Sequence, residues 1–256
     1  MSPDSTGHPA RVLQSFQVLP GRRGGQVEAL FTSRAGGVST GPYAGLNLGV
    51  HVGDEPAAVA ANRSRLAAGL GLTDDRVRYL DQVHGTEVVE VTTPLDDAPP
   101  SADASVTRQT DVALAVLVAD CTPLLLADPE AGVIGAAHAG RLGMLSGVVP
   151  ATVAAMRDLG ARHVQAIVGP SICGRCYAVP ADLRDAAAAA HPEAAARTWI
   201  GTPAIDVAAG VVAQLADLGV ATRWVPGCAR EENDLYSHRR DGVTGRYAGV
   251  IVRRES

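Results

Sequence analysis

The stretch "VLVADCTPLLLADPEAGVIGAAHAGRLG", residues 116–143, constrains this chain more than any other. Two apolar runs, "PLLLAD" and "VIGAAH", flank the turn signal "DPEAG", and a third run, "VALAVLV", precedes them. Runs this short and this apolar read as strands covered on both faces, and the Pro/Gly-punctuated turn reads as a hairpin. Into this core-like segment the sequence sets Asp120 and Cys121 at one end, and His138 and Arg141 at the other. Antiparallel pairing across the turn brings the start of one strand beside the end of the next. The thiol of Cys121 and the imidazole of His138, seventeen positions on, are therefore expected as neighbours on one rim of a sheet.

The remaining elements interleave. "QVEALFTS", "VRYL", "EVVEV", "HVQAIVG", "TRWVP" and "YAGVIV" read as strands. "DEPAAVAANRSRLAAGLGL" reads as a helix capped by Asp54, with Pro56 in its first turn. "MLSGVVPATVAAMRDLG", "PADLRDAAAAAH" and "DVAAGVVAQLADLG" read as further helices, with Pro150 marking a break or a late start in the first of them. "RAGGVSTGPYAGLNLG" is too rich in Gly, Ser and Asn for anything but a loop. The pattern implies α/β or α+β with mixed sheets. No repeat or linker divides it, so residues 25–256 are expected to form a single domain behind a flexible segment, 1–24.

The net charge of −5 gives no global electrostatic case for nucleic acid or an anionic membrane. No apolar run is long enough to span a bilayer, and the first residues lack the apolar core of a secretion signal, so the expected location is the cytoplasm. Thiols kept reduced there serve packing, metal binding or chemistry more often than disulfides. A third polar residue, His84 in "DQVHGT", also sits where a short strand gives way to Gly. His84, Cys121 and His138 suit Zn2+ with a fourth position open to water, although isolated His and Cys residues are more often packed or on the surface. Copper is less well supported: there is no His-x-His pair, and a multicopper centre needs many imidazoles.

Taken together, "TSRAGGVS", "LNLG", "DQVHG", "ADC-P", "HAG", "GPSI", "CY" and "SHRRDGVTGR", in this order, resemble the YfiH family. Its members have been described as laccase-domain or polyphenol oxidase proteins, purine nucleoside phosphorylases and peptidoglycan editing factors. The resemblance implies a layered α/β/β/α sandwich and a catalytic domain with a zinc site made by His84, Cys121 and His138. It also implies phosphorolysis of adenosine, inosine or methylthioadenosine to free base and ribose 1-phosphate, with adenosine deaminase activity besides. The expected partners are purine nucleosides and phosphate, bound by a monomer.

Phosphate needs cations. Arg34, in the Gly-rich loop, and Arg240 are the first candidates for a catalytic anion site, with Arg239 and Arg246 as substrate-binding neighbours. Asp120 is the candidate acid/base, or the carboxylate that orients His138 or His84. Asn47 either fixes its loop or meets the substrate, and His51 lies close behind it. The usual deaminase signature, H-x-E with P-C-x-x-C, is absent. Two positions depart from the family pattern: "HAGRLG" has Arg141 in the place of a Trp, and "CYAV" has Ala178 in the place of a Glu. "CGRC", Cys173 to Cys176, reads first as packed thiols; an accessory metal would need two more ligands, for which Cys228 and His238 are the obvious extras. The alternative function is a hydrolase that edits peptidoglycan precursors, with Cys121 as nucleophile and His138 or His84 as base.

Overall fold

The computed structural model describes residues 12–18, 26–92 and 98–254. In chain order the strands are β1 (Val12–Val18), β2 (Gln26–Thr32), β3 (Val77–Arg78), β4 (Val88–Glu90), β5 (Ala104–Thr107), β6 (Ala113–Val118) and β7 (Thr122–Asp128). They continue with β8 (Val133–Ala139), β9 (Gln165–Val168), β10 (Ala195–Arg197), β11 (Pro203–Ile205), β12 (Ala221–Trp224) and β13 (Tyr247–Arg254). The helices are α1 (Pro56–Gly69), α2 (Arg141–Ser146), α3 (Val148–Asp158), α4 (Ala181–Ala190), α5 (Val207–Asp217) and α6 (His238–Asp241).

Two mixed sheets carry the fold, one in the order β1-β2-β13-β6-β3 and the other β12-β9-β7-β8-β5-β4. The period-2 alternation of each strand divides its side chains between two layers. On β7, Leu125 and Ala127 meet Phe31, Leu114, Val116 and Ile251 of the first sheet, so this cluster fills the space between the sheets. Leu124 and Leu126 turn the other way, against Met144, Val149, Val153, Met156 and Val211 of α2, α3 and α5. The outer face of the first sheet, with Leu30, Ala115, Leu117 and Val250, is covered by Leu66 and Ala67 of α1 and by Leu70 just after it. The result is the expected α/β/β/α layering.

The hairpin forms as read, with Pro123 opposite His138 and Asp128 opposite Val133. The run before it does not join that sheet: β6 pairs with β13 and β3. Residues 119–121 therefore cross from one sheet to the other. One local expectation needs correction. Asp54 does not cap α1, whose N-cap is Glu55; its carboxylate instead binds Ser39 Oγ at 2.6 Å and Asn47 Nδ2 at 2.9 Å, bracing the Gly-rich loop. Pro150 marks a late start: Gly147, at φ 98°, separates α2 from α3, and Pro150 falls in the first turn of α3. Residues 12–18, inside the segment expected to be flexible, pair antiparallel with β2; residues 1–11 and 19–24 of that segment lie outside the described residues.

Candidate metal centre and its pocket

The two crossovers from the first sheet to the second lie at one rim. The β3–β4 connection carries His84 and the β6–β7 connection carries Cys121. Gln82 ties one to the other like an extra strand residue: its side-chain amide donates to Leu117 O at 2.8 Å and its oxygen accepts from Leu117 N at 2.7 Å. His138 shares the inter-sheet face of β8 with Ile134 and Ala136 and is the last residue of that row at the rim.

These placements bring one ligand atom each from His84, Cys121 and His138 within 4.8 Å of one another. The Cys121 sulfur is 3.7 Å from His84 Nε2, and the two imidazoles meet edge to face at 4.8 Å. Gly140 makes the approach possible, since a Cβ there would lie 2.6 Å from His84 Cδ2 and 3.2 Å from Cys121 Sγ. Both crossovers hold non-glycine residues in left-handed backbone, His84 at φ 62° and Asp120 at φ 98°. Such outliers concentrate where surrounding structure enforces them, as at functional sites.

The carboxylate that sequence reasoning missed is Asp103. It is fully buried, accepts a 2.7 Å hydrogen bond from His138 Nδ1, and also accepts the backbone N–H groups of Val83, His84 and Gly85. Burial opposes its charge, but these donors keep its pKa below the ordinary carboxylate value. With Nδ1 engaged, His138 presents Nε2 to the thiol, the carboxylate–histidine arrangement that orients metal ligands. Burial pushes the Cys121 thiol up, yet the facing His138 and His84 outweigh it and bring the thiol down to about 6. Burial likewise disfavours imidazolium at His138, but Cys121 and Asp103 raise it to about 9. The donor set is soft, convergent and open on one side, and so fits a tetrahedral metal with one free position.

Asp120 does not orient either imidazole. Its carboxylate accepts from Ser237 Oγ and from the Arg239 backbone N–H, both at 2.6 Å, and fixes the start of α6. A cavity of about 370 Å3 opens over the triad, and Asp120, Arg239, Arg246, Arg141, His51 and Gln82 are among the residues lining it. Arg239 donates to Ala178 O at 2.6 Å and stacks over Tyr177. Arg246 is held by the carbonyls of Thr244 and Gly245, and burial lowers its pKa against the pull of Cys121 and Asp120. Burial and then Arg246 lower the pKa of His51.

Arg34 and Arg240 lie elsewhere. The Arg34 guanidinium sits over the Tyr236 ring and donates to Ala44 O at 3.3 Å. Arg240 donates to the carbonyls of Ala229, Glu232 and Leu235 and pairs with Asp241, bracing residues 229–235. Neither is among the residues lining the cavity. A guanidinium has five donors, and unpaired loop carbonyls satisfy them as well as phosphate does. Asn47 is fully buried; it binds Gly49 and Asp54 and accepts the Arg246 N–H at 2.8 Å, so it fixes its loop.

A layered α/β/β/α protein with a Cys–His–His metal-capable centre at the sheet rim is thus defined. The chain belongs to the family described as multi-copper polyphenol oxidoreductase laccase, whose model matches residues 28–254. It is 54% identical to purine nucleoside phosphorylase SCO2081 of Streptomyces coelicolor over 86% of this chain and 93% of the relative. It is 47% identical to purine nucleoside phosphorylase Rv2149c of Mycobacterium tuberculosis over 88% of this chain and 92% of the relative. Among solved structures, YlmD of Geobacillus stearothermophilus matches with a TM-score of 0.83 and 34% identity, covering 90% of this chain and 92% of that one. Protein NMB0706 of Neisseria meningitidis matches with a TM-score of 0.82 and 37% identity, covering 94% and 99%.

Proposed function

We propose that this chain is a zinc-dependent purine nucleoside phosphorylase acting on adenosine, inosine or methylthioadenosine, with adenosine deamination as a second activity. The observation that carries the reading is that one cavity joins the His84–Cys121–His138 triad to the guanidinium-bearing side chains of Arg141, Arg239 and Arg246. The names of the relatives are consistent with it. Phosphorolysis breaks the bond from ribose C1′ to the purine nitrogen and forms one from C1′ to a phosphate oxygen, and the departing base takes up a proton. Zinc held by the triad would supply a Lewis acid.

The chain's own residues bind and orient. Arg239 and Arg246, each already fixed by backbone carbonyls, present cationic edges to phosphate with little ordering left to do. Arg141 adds a third, in the place where the family pattern has an aromatic. Asp120 acts as a positioning residue, holding the backbone that presents Arg239. His51, kept neutral at pH 7 by its lowered pKa, can hydrogen-bond a base edge. The direct test is incubation with adenosine, with and without phosphate. Adenine and ribose 1-phosphate should form only with phosphate, while inosine and ammonia mark deamination; formation of neither pair contradicts the reading.

One observation favours a second reading. A thiol with its pKa lowered to about 6 between two imidazoles also describes a cysteine nucleophile. A hydrolase editing peptidoglycan precursors would use Cys121 in that way, and it would work without metal.

A further inference from the structure

A second group of sulfur ligands lies outside the pocket. The β9–α4 connection carries Cys173 and Cys176, and the turn after β12 carries Cys228 and Glu231. One ligand atom from each of these four residues lies within 4.8 Å of the others. Cys176 and Cys228 are buried and Cys173 is half-buried, while Glu231 closes the group on its solvent side. The expected extra ligand His238 is not in this group; its Nδ1 binds Gly242 O.

We infer that Cys173, Cys176, Cys228 and Glu231 form a closed, structural site for a thiophilic divalent cation of the zinc class. Four protein ligands, three of them thiolates, fill a tetrahedral shell and leave no position for a substrate, unlike the open triad. The surroundings are arranged as around a metal–thiolate centre. The Cys173 N–H points at Cys228 Sγ at 3.5 Å, a backbone donor to sulfur. Glu231 Oε1 is held by Cys176 Sγ at 3.2 Å and by Trp199 Nε1 at 3.3 Å. The same Trp199 ring carries the Arg175 guanidinium 4.3 Å from its centroid. Binding exchanges the thiol protons for the cation, with no change of oxidation state.

The site would clamp two segments that build the catalytic pocket. Ile172 and Tyr177, next in sequence to Cys173 and Cys176, line that pocket, and the Ile172 N–H donates to Asp120 O at 2.9 Å. On the other side, the Cys228 carbonyl accepts from the N–H groups of Glu231 and Glu232, and the turn runs on towards α6.

Cobalt tests this without disturbing the cluster. Metal-free protein prepared under argon and loaded with Co2+ should take up about two equivalents, one per site. Its thiolate-to-cobalt absorption then comes from Cys121 plus the three clustered cysteines. Cys121→Ser should therefore keep about three quarters of that band and about one equivalent of cobalt. Cys228→Ala should show the converse loss, about one equivalent of cobalt. Complete disappearance of the band in Cys121→Ser would overturn the site, as would a disulfide among Cys173, Cys176 and Cys228 found by peptide mapping of the argon-purified protein.

Discussion

At the scale of single residues, the geometry of the candidate metal centre depends on groups outside the triad itself. Asp103 holds His138 by one bond and the His84 crossover by three backbone N–H bonds, so it sets two ligands at once. Asp103→Ala should lower metal affinity by about 10–100-fold in competition with a chromophoric chelator, the range known for such outer carboxylates; unchanged affinity would remove Asp103 from the design. Gly140→Ala puts a methyl 2.6 Å from the His84 ring. It should displace that ligand and destabilise the fold by about 1–3 kcal/mol, read as a lowered denaturation midpoint together with sub-stoichiometric metal. The arginines separate in the same way. Arg141→Ala, which removes a cation from the cavity, should raise the KM for phosphate by about tenfold. Arg34→Ala should leave that KM unchanged and lower stability instead, because its donors serve Ala44 O and the Tyr236 ring.

At the scale of elements, the β7–β8 hairpin is the part that places Cys121 and His138 together, and Asp128 is its anchor. One carboxylate oxygen accepts the N–H groups of Glu130 and Ala131 inside the turn; the other accepts those of Arg162 and His163, ahead of β9. Burial opposes the charge, but the four donors hold the pKa below its unfolded value. The stabilisation is therefore complete above the unfolded pKa of about 4 and is lost as pH falls through the lower folded value. Asp128→Asn, which turns an amide group toward two N–H donors, should lose about 1–3 kcal/mol at pH 7. In denaturant titrations the gap from the parent protein should close as the pH falls from the unfolded pKa through the lowered folded pKa of Asp128; a gap independent of pH would show that the charge is irrelevant. The hairpin was legible in sequence because apolar runs and a Pro/Gly turn specify it locally. That β6 belongs to the opposite sheet was not legible, since a run buried on both faces carries no mark of which neighbours it pairs with. Strand β5, "ASVT", was missed for a related reason: half its residues are Ser and Thr, and Asp103 at its threshold looks like an ordinary loop acid.

At the scale of the whole molecule, the layers could be anticipated from the interleaved elements, and the triad from residue chemistry together with ordered motifs. Sequence supplied the donors but not their directions. Arg34 and Arg240 looked like phosphate ligands and turned out to satisfy carbonyls, whereas the Cys173, Cys176, Cys228 and Glu231 group needed residues from two distant connections to meet. The two sheets define one rim, and both crossovers deliver a metal-capable side chain to it; that convergence is the basis of the proposed chemistry. The most direct measurement is base release from adenosine and phosphate by the metal-free protein, before and after stoichiometric Zn2+, with the intact mass at Cys121 followed in parallel. Release should be absent without metal and restored by zinc, and Cys121 should carry no substrate-derived mass. Undiminished release from the metal-free protein, with a covalent adduct on Cys121, would contradict the zinc-dependent account and make this thiol the nucleophile.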